Sequence, residues 1–263
     1  MRSERLDAAV AAQAGLTRAQ ARNLILAGRV RIGGEPATKP GHGIRPGTLL
    51  EIVAVAPYVS RGGEKLAAAL AAFKLDVHGA RALDIGASTG GFTDALLAHG
   101  ACHVSAVDVG YGQLAWKLRN DARVHVLERT NFRTIGDDAF AQPFDCIVID
   151  ASFISLRLLL PKAARFLRGE GLIVALVKPQ FEAGREAVGR GGVVKDPRVH
   201  EQVLRTVRDA LPALGLVADA VCASPLVGPA GNREFFLLIR RHAAAVTAVT
   251  DEAIAQAVAE APK

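Results

Sequence analysis

Leu83-Asp84-Ile85-Gly86-Ala87-Ser88-Thr89-Gly90-Gly91-Phe92-Thr93 is the stretch whose reading decides the fold. The run Arg81 to Ile85 reads as a buried strand, small residues then make a tight turn, and a helix opens at about Gly91. A dinucleotide-binding turn carries G-x-G-x-x-G, whose second glycine lets the backbone approach a pyrophosphate. Here that position is Ser88, and the spacing is D-x-G-x-x-x-G. Asp108 ends the next expected strand, His103 to Val107, where a carboxylate can accept two ribose hydroxyls and no phosphate needs neutralising.

Strands and helices go on alternating on the C-terminal side. Strands are expected at Val124 to Leu127, Phe144 to Ile149, Leu172 to Val177, Leu216 to Ala223 and Glu234 to Ile239, with helices at Leu156 to Phe166 and Arg198 to Leu211. This pattern predicts an α/β fold with a mostly parallel seven-stranded sheet, helices on both faces and an antiparallel pair at its end. The carboxyl ends of parallel strands line the ligand crevice. Asp150 and Lys178 end two of these strands, Glu234 opens the last, and Lys65 lies in the apolar-periodic segment Lys65 to Phe73. Singly, each such residue is more often a cap or a surface charge; as a set at strand ends they mark a site.

Working toward the N-terminus, residues 1–56 read as a separate unit. Leu6, Ala9 and Val10 share a helical face that Gly15 ends, and Thr17 caps a second helix from Arg18 to Ala27. Extended pieces follow at Val30 to Ile32 and Thr48 to Val53, with turns across Gly33 to Gly47. The chain of 263 residues carries a net charge of +6, and this first fifth holds eight basic and four acidic side chains. Arg18 and Arg22 share one helical face, and Arg29 and Arg31 alternate out of the next strand. A basic docking surface and an ordinary solvated face both account for that charge pattern.

The segment RLDAAVAAQAGLTRAQARNLILAGRVRIGGEPATKPGHGIRPGT resembles the S-four-type RNA-binding domain. The D-x-G-x-x-x-G turn resembles the S-adenosylmethionine loop of class I (Rossmann-like) methyltransferases. Lys65, Asp150, Lys178 and Glu234 match in order and context the K-D-K-E tetrad of the FtsJ-like ribose 2′-O-methyltransferases. With YVSRGGEKL, DIGASTGGFTD, DCIVIDASFISL, LVKPQFEAGRE, GGVVKDP and SPLVGPAGNREFF, the chain is similar to the TlyA family across residues 4–240. That resemblance implies an S-four-type domain at 1–56, a linker at 57–64, a methyltransferase domain at 65–241 and an Ala-rich tail at 242–263, a surface helix or a frayed end.

The resemblance further implies S-adenosylmethionine as cofactor, held by Asp84, Gly86, Ser88, Gly90, Gly91, Asp108, Asn131 and Asp150. It implies a catalytic tetrad of Lys65, Asp150, Lys178 and Glu234, acting on cytidine ribose in ribosomal RNA of the 50S subunit, with the 30S subunit as a second candidate. Lys178 is the candidate base and Lys65 its neighbouring cation. Arg5, Arg18, Arg22, Arg29, Arg31, Lys39 and the linker residue Arg61 are the expected RNA contacts. Arg61-Gly62-Gly63, and Gly184-Arg185 with the Gly189 to Lys195 stretch, read as flexible basic segments near the crevice, a lid over the nucleotide or a solvated connection; Phe153 reads as a cofactor neighbour or as core.

Other classes of function fit less well. Cys102, Cys146 and Cys222 form no CxxC pair, and the histidines show no metal-ligand spacing, so neither a disulfide framework nor a metal site is expected. The chain opens without a basic-then-apolar leader, and its apolar runs fall short of the roughly 20 residues of a membrane helix. A cytoplasmic enzyme is the expectation. A membrane-active hemolysin, the family's other label, lacks an apolar element, and a non-catalytic RNA-binding protein would not need the tetrad. A pseudouridine synthase is recommended only by Arg5-Leu6-Asp7, which sits in the wrong domain for it.

Overall fold

The structure, a computed structural model, describes residues 3–26, 28–52, 57–189, 191–228, 230–241 and 248–262. Ala27 and Val53, expected to end a helix and a strand, lie outside the described residues, as do Ala56, Arg190, Lys263 and residues 242–247 of the expected tail. The chain divides into two units, Met1–Ala56 and Pro57–Lys263.

The first unit runs β1 (Glu4–Arg5), α1 (Leu6–Ala14), α2 (Arg18–Leu26), β2 (Val30–Ile32), β3 (Glu35–Pro36), β4 (Gly43–Ile44) and β5 (Leu50–Ile52). Gly15, in the left-handed region at φ 64°, ends α1. A reciprocal cap starts α2: Thr17 Oγ1 accepts from the Gln20 amide at 3.3 Å while Gln20 Oε1 accepts from the Thr17 amide at 2.9 Å. β2 pairs antiparallel with both β3 and β5, and β1 pairs with β4. β3 and β4 fall within the stretch expected to be turns; two-residue strands are too short to leave a periodic signal. Leu6, Val10, Ala21, Ile25, Val30, Ile44 and Leu50 form the core.

The second unit runs α3 (Arg61–Ala72), β6 (Arg81–Ile85), α4 (Gly91–Ala98), β7 (His103–Val107), α5 (Trp116–Arg119), β8 (Val124–Leu127), β9 (Phe144–Ile149), α6 (Leu156–Phe166), β10 (Leu167–Val177), α7 (Pro179–Glu182), α8 (Pro197–Asp209), β11 (Leu216–Ala223), β12 (Phe235–Arg241) and α9 (Asp251–Glu260). Its seven-stranded sheet has the order β11-β12-β10-β9-β6-β7-β8, parallel except for β12, which runs antiparallel to β10 and β11. Side-chain alternation divides the core between two faces. Ile147, Ile149, Ile173 and Ala175 face one cluster with Leu204 and Ile254, while Cys146, Val148, Val174 and Leu176 face the other with Leu66 and Leu96.

β5, α8 and β12 shift by one or two residues from the expected ends, β12 starting at Phe235 and not Glu234, and three larger differences stand out. α3 begins at Arg61, inside the expected linker 57–64, so Arg61-Gly62-Gly63 is the first turn of a packed helix and not a flexible segment. A β carbon on Gly91 would lie 2.3 Å from Ser60 Oγ, so the bare glycine lets the starts of α3 and α4 close on each other. β10 begins at Leu167, with an irregular register against β9 between Leu167 and Leu172; the polar Arg168 to Gly171 hides this extension from an apolar-run reading. The tail's helix α9 is built into the core: Ile254, Val258 and Ala261 are buried, and Arg208 holds Asp251 at 2.6 Å. One apolar face in an Ala-rich segment is enough to dock it.

Candidate active site

The sheet's order brings the expected tetrad together. β6, β9 and β10 are parallel and adjacent, so their carboxyl ends place Gly86, Asp150 and Lys178 along one rim. β12 runs the other way, with Phe235 opposite Val177, so its first residue's neighbour, Glu234, reaches the same rim from the opposite chain direction. Lys65 joins from α3, packed against the same face as α4.

The four side chains form two ion pairs. Lys65 Nζ lies 2.5 Å from Glu234 Oε2, with both side chains buried. Lys178 Nζ lies 2.7 Å from Asp150 Oδ1 and donates to Ser152 Oγ at 2.9 Å. Each lysine is thus matched to a carboxylate, an arrangement that spacing along the chain does not reveal. All four residues line a cavity of about 510 Å³ together with Ser60, Arg61 and the 86–89 turn.

A second cavity, of about 360 Å³, shares Gly86, Ser88, Asp150 and Ser152 with the first. It is lined by Asp108 and Asn131, as expected, and by apolar Val107, Phe132 and Leu159. Asp108 is fixed by two loop amides: Ser88 N donates to Oδ2 at 2.8 Å and Gly110 N to Oδ1 at 2.7 Å. Asn131 caps a short 3-10 turn, its side chain accepting from the Arg133 amide. Gly86 sits at φ 86°, and a β carbon there would meet the Asp150 carbonyl oxygen at 2.9 Å. Ser88 also takes a left-handed backbone, at φ 49°. The position that distinguishes this turn from a dinucleotide loop therefore needs an unusual conformation without using glycine.

Two expected cofactor contacts stand apart. Gly90, at φ 94°, shapes the turn and does not line either cavity. Asp84 is fully buried below the loop, on the sheet face that α4 covers, where its Oδ2 accepts from Thr93 Oγ1 at 2.7 Å and its Oδ1 has no partner. Burial pushes its carboxyl up to about 7, against the opposing pull of the Thr93 hydrogen bond. An unfolded aspartate ionises near 3.9, so between about pH 4 and pH 7 the unfolded chain has released a proton that the folded chain keeps. This group's contribution to stability falls with rising pH across that window and then levels off. Asp84→Asn imitates the neutral acid, so its melting temperature relative to the parent should rise from pH 5 to pH 8 in the cofactor-free protein; a constant difference would show Asp84 ionised throughout.

Phe153 is not core: it lines the second cavity while 90% exposed, at φ 65°, with its ring centroid 5.0 Å from that of Phe181. Glu182, next in sequence, accepts from Ser155 Oγ and the Leu156 amide at 2.6 Å each, tying α7 to the loop after β9. Ser152 escaped the sequence reading. Its signal was its place two residues after a strand-end aspartate in Asp150-Ala151-Ser152.

A parallel sheet closed by an antiparallel last pair, with a Gly-rich turn after β6 and an acidic residue after β7, defines the Rossmann-like methyltransferase class. The FtsJ-like methyltransferase family matches residues 58–241, and the S4 domain matches residues 4–50. The chain belongs to the FtsJ-like methyltransferase family, and it is an enzyme of that kind. It is 47% identical to the 16S/23S rRNA (cytidine-2'-O)-methyltransferase TlyA of Mycobacterium tuberculosis, with 99% of each chain covered. It is 35% identical to the 23S rRNA (cytidine-2'-O)-methyltransferase TlyA of Campylobacter jejuni, over 68% of this chain and 69% of that protein. A solved structure from Streptococcus thermophilus, described as a hemolysin, is 43% identical with a TM-score of 0.75, covering 99% of this chain and 96% of that one. No helix among the described residues is long and apolar enough to cross a membrane.

Proposed function

We propose that this protein transfers the methyl group of S-adenosylmethionine to the ribose 2′-hydroxyl of a cytidine in ribosomal RNA, in the cytoplasm. The observation that carries this reading is the pairing of Lys178 with Asp150 and of Lys65 with Glu234 on the rim of one cavity. Relatives across most of the chain carry that activity in their names.

The residues present fit the cofactor. A largely apolar compartment beside Asp108 suits a purine nucleoside, and Gly86 and Ser88, common to both cavities, lead from it to the tetrad. Gly86, Ser88, Asp108, Asn131 and Asp150 would hold it, with Gly91 and Gly90 shaping the loop and Asp84 supporting it from below. When bound, S-adenosylmethionine supplies a methyl on a sulfonium that needs only an aligned nucleophile. The protein's work is then to place the ribose and to move one proton. Lys178, in its neutral form, takes the 2′-hydroxyl proton on Nζ, which Asp150 and Ser152 hold toward the cavity; the Asp150 carboxylate favours the charged lysine and so opposes that neutral form. Lys65, fixed by Glu234, orients the hydroxyl.

The first unit is the RNA-docking part. Arg18, Arg22, Arg31, Lys39 and Arg5 are exposed and Arg29 is half-buried, while Arg61 stands on the catalytic cavity and donates to the Val227 carbonyl. Arg18→Glu with Arg22→Glu should weaken binding of 50S particles and flatten its salt dependence while leaving S-adenosylmethionine affinity unchanged. A parallel fall in both affinities would contradict the division of labour. The choice of subunit is read by incubating the protein and labelled S-adenosylmethionine with separate 30S and 50S particles from a strain lacking this gene. Label in 50S is expected, label in 30S would add the small subunit, and label in neither would reject the proposal.

A further inference from the structure

Resting on the reading of the first unit as an RNA-docking part, we propose that Asp7 is the positioning residue of that surface, a hidden carboxylate that aims two arginines at phosphates. A carboxylate within a basic patch ordinarily weakens polyanion binding. Here its burial alters that expectation: the Asp7 side chain is 7% exposed, whereas those of Arg5 and Arg18 are 57% and 62% exposed. An approaching phosphate meets the guanidiniums, and the acid lies beneath them.

The geometry fixes both arginines from one point. Arg5 donates from Nε at 3.0 Å and from Nη2 at 2.8 Å to the two oxygens of Asp7. Arg18 Nη2 reaches the same two oxygens at 3.2 and 3.3 Å. Among the described residues, Nη1 of Arg5, and both Nε and Nη1 of Arg18, make no hydrogen bond and can take a ligand. Asp7 itself is pinned, its amide donating to the Pro40 carbonyl at 3.0 Å in the first turn of α1. The Arg5 guanidinium lies against Gly41, where a β carbon would be 3.4 Å from Nη1. Arg18 opens α2, whose start is set by the Thr17 and Gln20 cap. One carboxylate thereby couples β1, α1 and α2, and it orders two long side chains before RNA arrives. Free arginines lose rotamer entropy on binding; prepaired ones have already lost it.

The test sets this reading against simple charge. Asp7→Asn raises the unit's net charge by one, so Coulomb attraction alone predicts tighter binding of 50S particles. Positioning predicts binding about 10-fold weaker, the scale of one lost charge-assisted hydrogen bond, with a salt slope shallower by about 1. Asp7→Glu keeps the charge but displaces both guanidiniums by a methylene, and should also weaken binding. In the background Arg5→Gln plus Arg18→Gln, Asp7→Asn should cause no further loss, an outcome that a merely structural role would not produce. Melting of the full chain and its S-adenosylmethionine affinity check that the variants fold. Tighter or unchanged binding by folded Asp7→Asn would overturn the inference while leaving the docking surface standing. If Arg18→Glu plus Arg22→Glu has no effect on binding, the docking reading itself falls.

Discussion

Lys178→Ala is expected to lower the single-turnover rate of methyl transfer by about 10²–10⁴-fold, the usual contribution of a positioned proton acceptor. Cofactor affinity should change little, because Lys178 lines the tetrad's cavity and not the compartment beside Asp108. The ribose hydroxyl is a weak nucleophile until its proton leaves, and Lys178 is the amine that Asp150 and Ser152 together hold at the crevice. Two further readings separate a base from a mere orienter. A base must first be neutral, so the parent's rate should rise with pH. Lys178→Arg keeps the charge but not the ability to lose a proton, and should be as slow as the alanine variant. A flat pH profile with substantial Lys178→Arg activity would make the residue an orienter, and a near-parent rate for Lys178→Ala would remove it from the mechanism.

Glu234→Ala should be costly in a different way. Glu234 is 2% exposed and pairs with Lys65, itself buried, so the deletion leaves an ammonium without its partner. Breaking a buried pair from one side costs about 3–5 kcal/mol, because the remaining charge is desolvated and unmatched. The second unit's melting temperature should therefore fall by roughly 10 °C, at about 2–4 °C per kcal/mol for a domain of this size. Replacing both members, Lys65→Met with Glu234→Leu, should recover most of that loss, since two apolar side chains of similar size need no partner. That double variant should nevertheless fail to methylate. Recovery of stability without activity would show that the pair is kept for placing the hydroxyl; activity in the double variant would make it a structural pair.

Most of the second unit's architecture was legible because its strands are nearly continuous apolar runs ending in polar residues. β6, β7, β8, β9 and β11 fall at the expected residues. Where the apolar signal was interrupted, legibility failed: Arg168 to Gly171 hid the start of β10, and Gly62 and Gly63 made a tightly packed helix start look like a linker. Strand-end position was sufficient to gather Asp150, Lys178 and Glu234, since sheet order converts chain position into a shared rim, and Lys65 joins them from α3. Which lysine pairs with which carboxylate was not legible, because it depends on how far β12 and α3 carry Glu234 and Lys65 around the crevice. The burial of Asp84 was hidden for a related reason. A carboxylate one residue before a strand's last position alternates toward α4 rather than toward the crevice, a consequence of period-2 geometry that the motif alone obscures. In the first unit, counting charge could not show that Asp7 lies beneath Arg5 and Arg18.

The central claim is the atom that receives the methyl group. Particles carrying unmodified ribosomal RNA are incubated with this protein and methyl-labelled S-adenosylmethionine, the RNA is digested to nucleosides, and the labelled nucleoside is identified by mass. The account predicts 2′-O-methylcytidine, absent when Lys178→Ala replaces the parent protein. Label on a base, or on the ribose of a nucleoside other than cytidine, would contradict it.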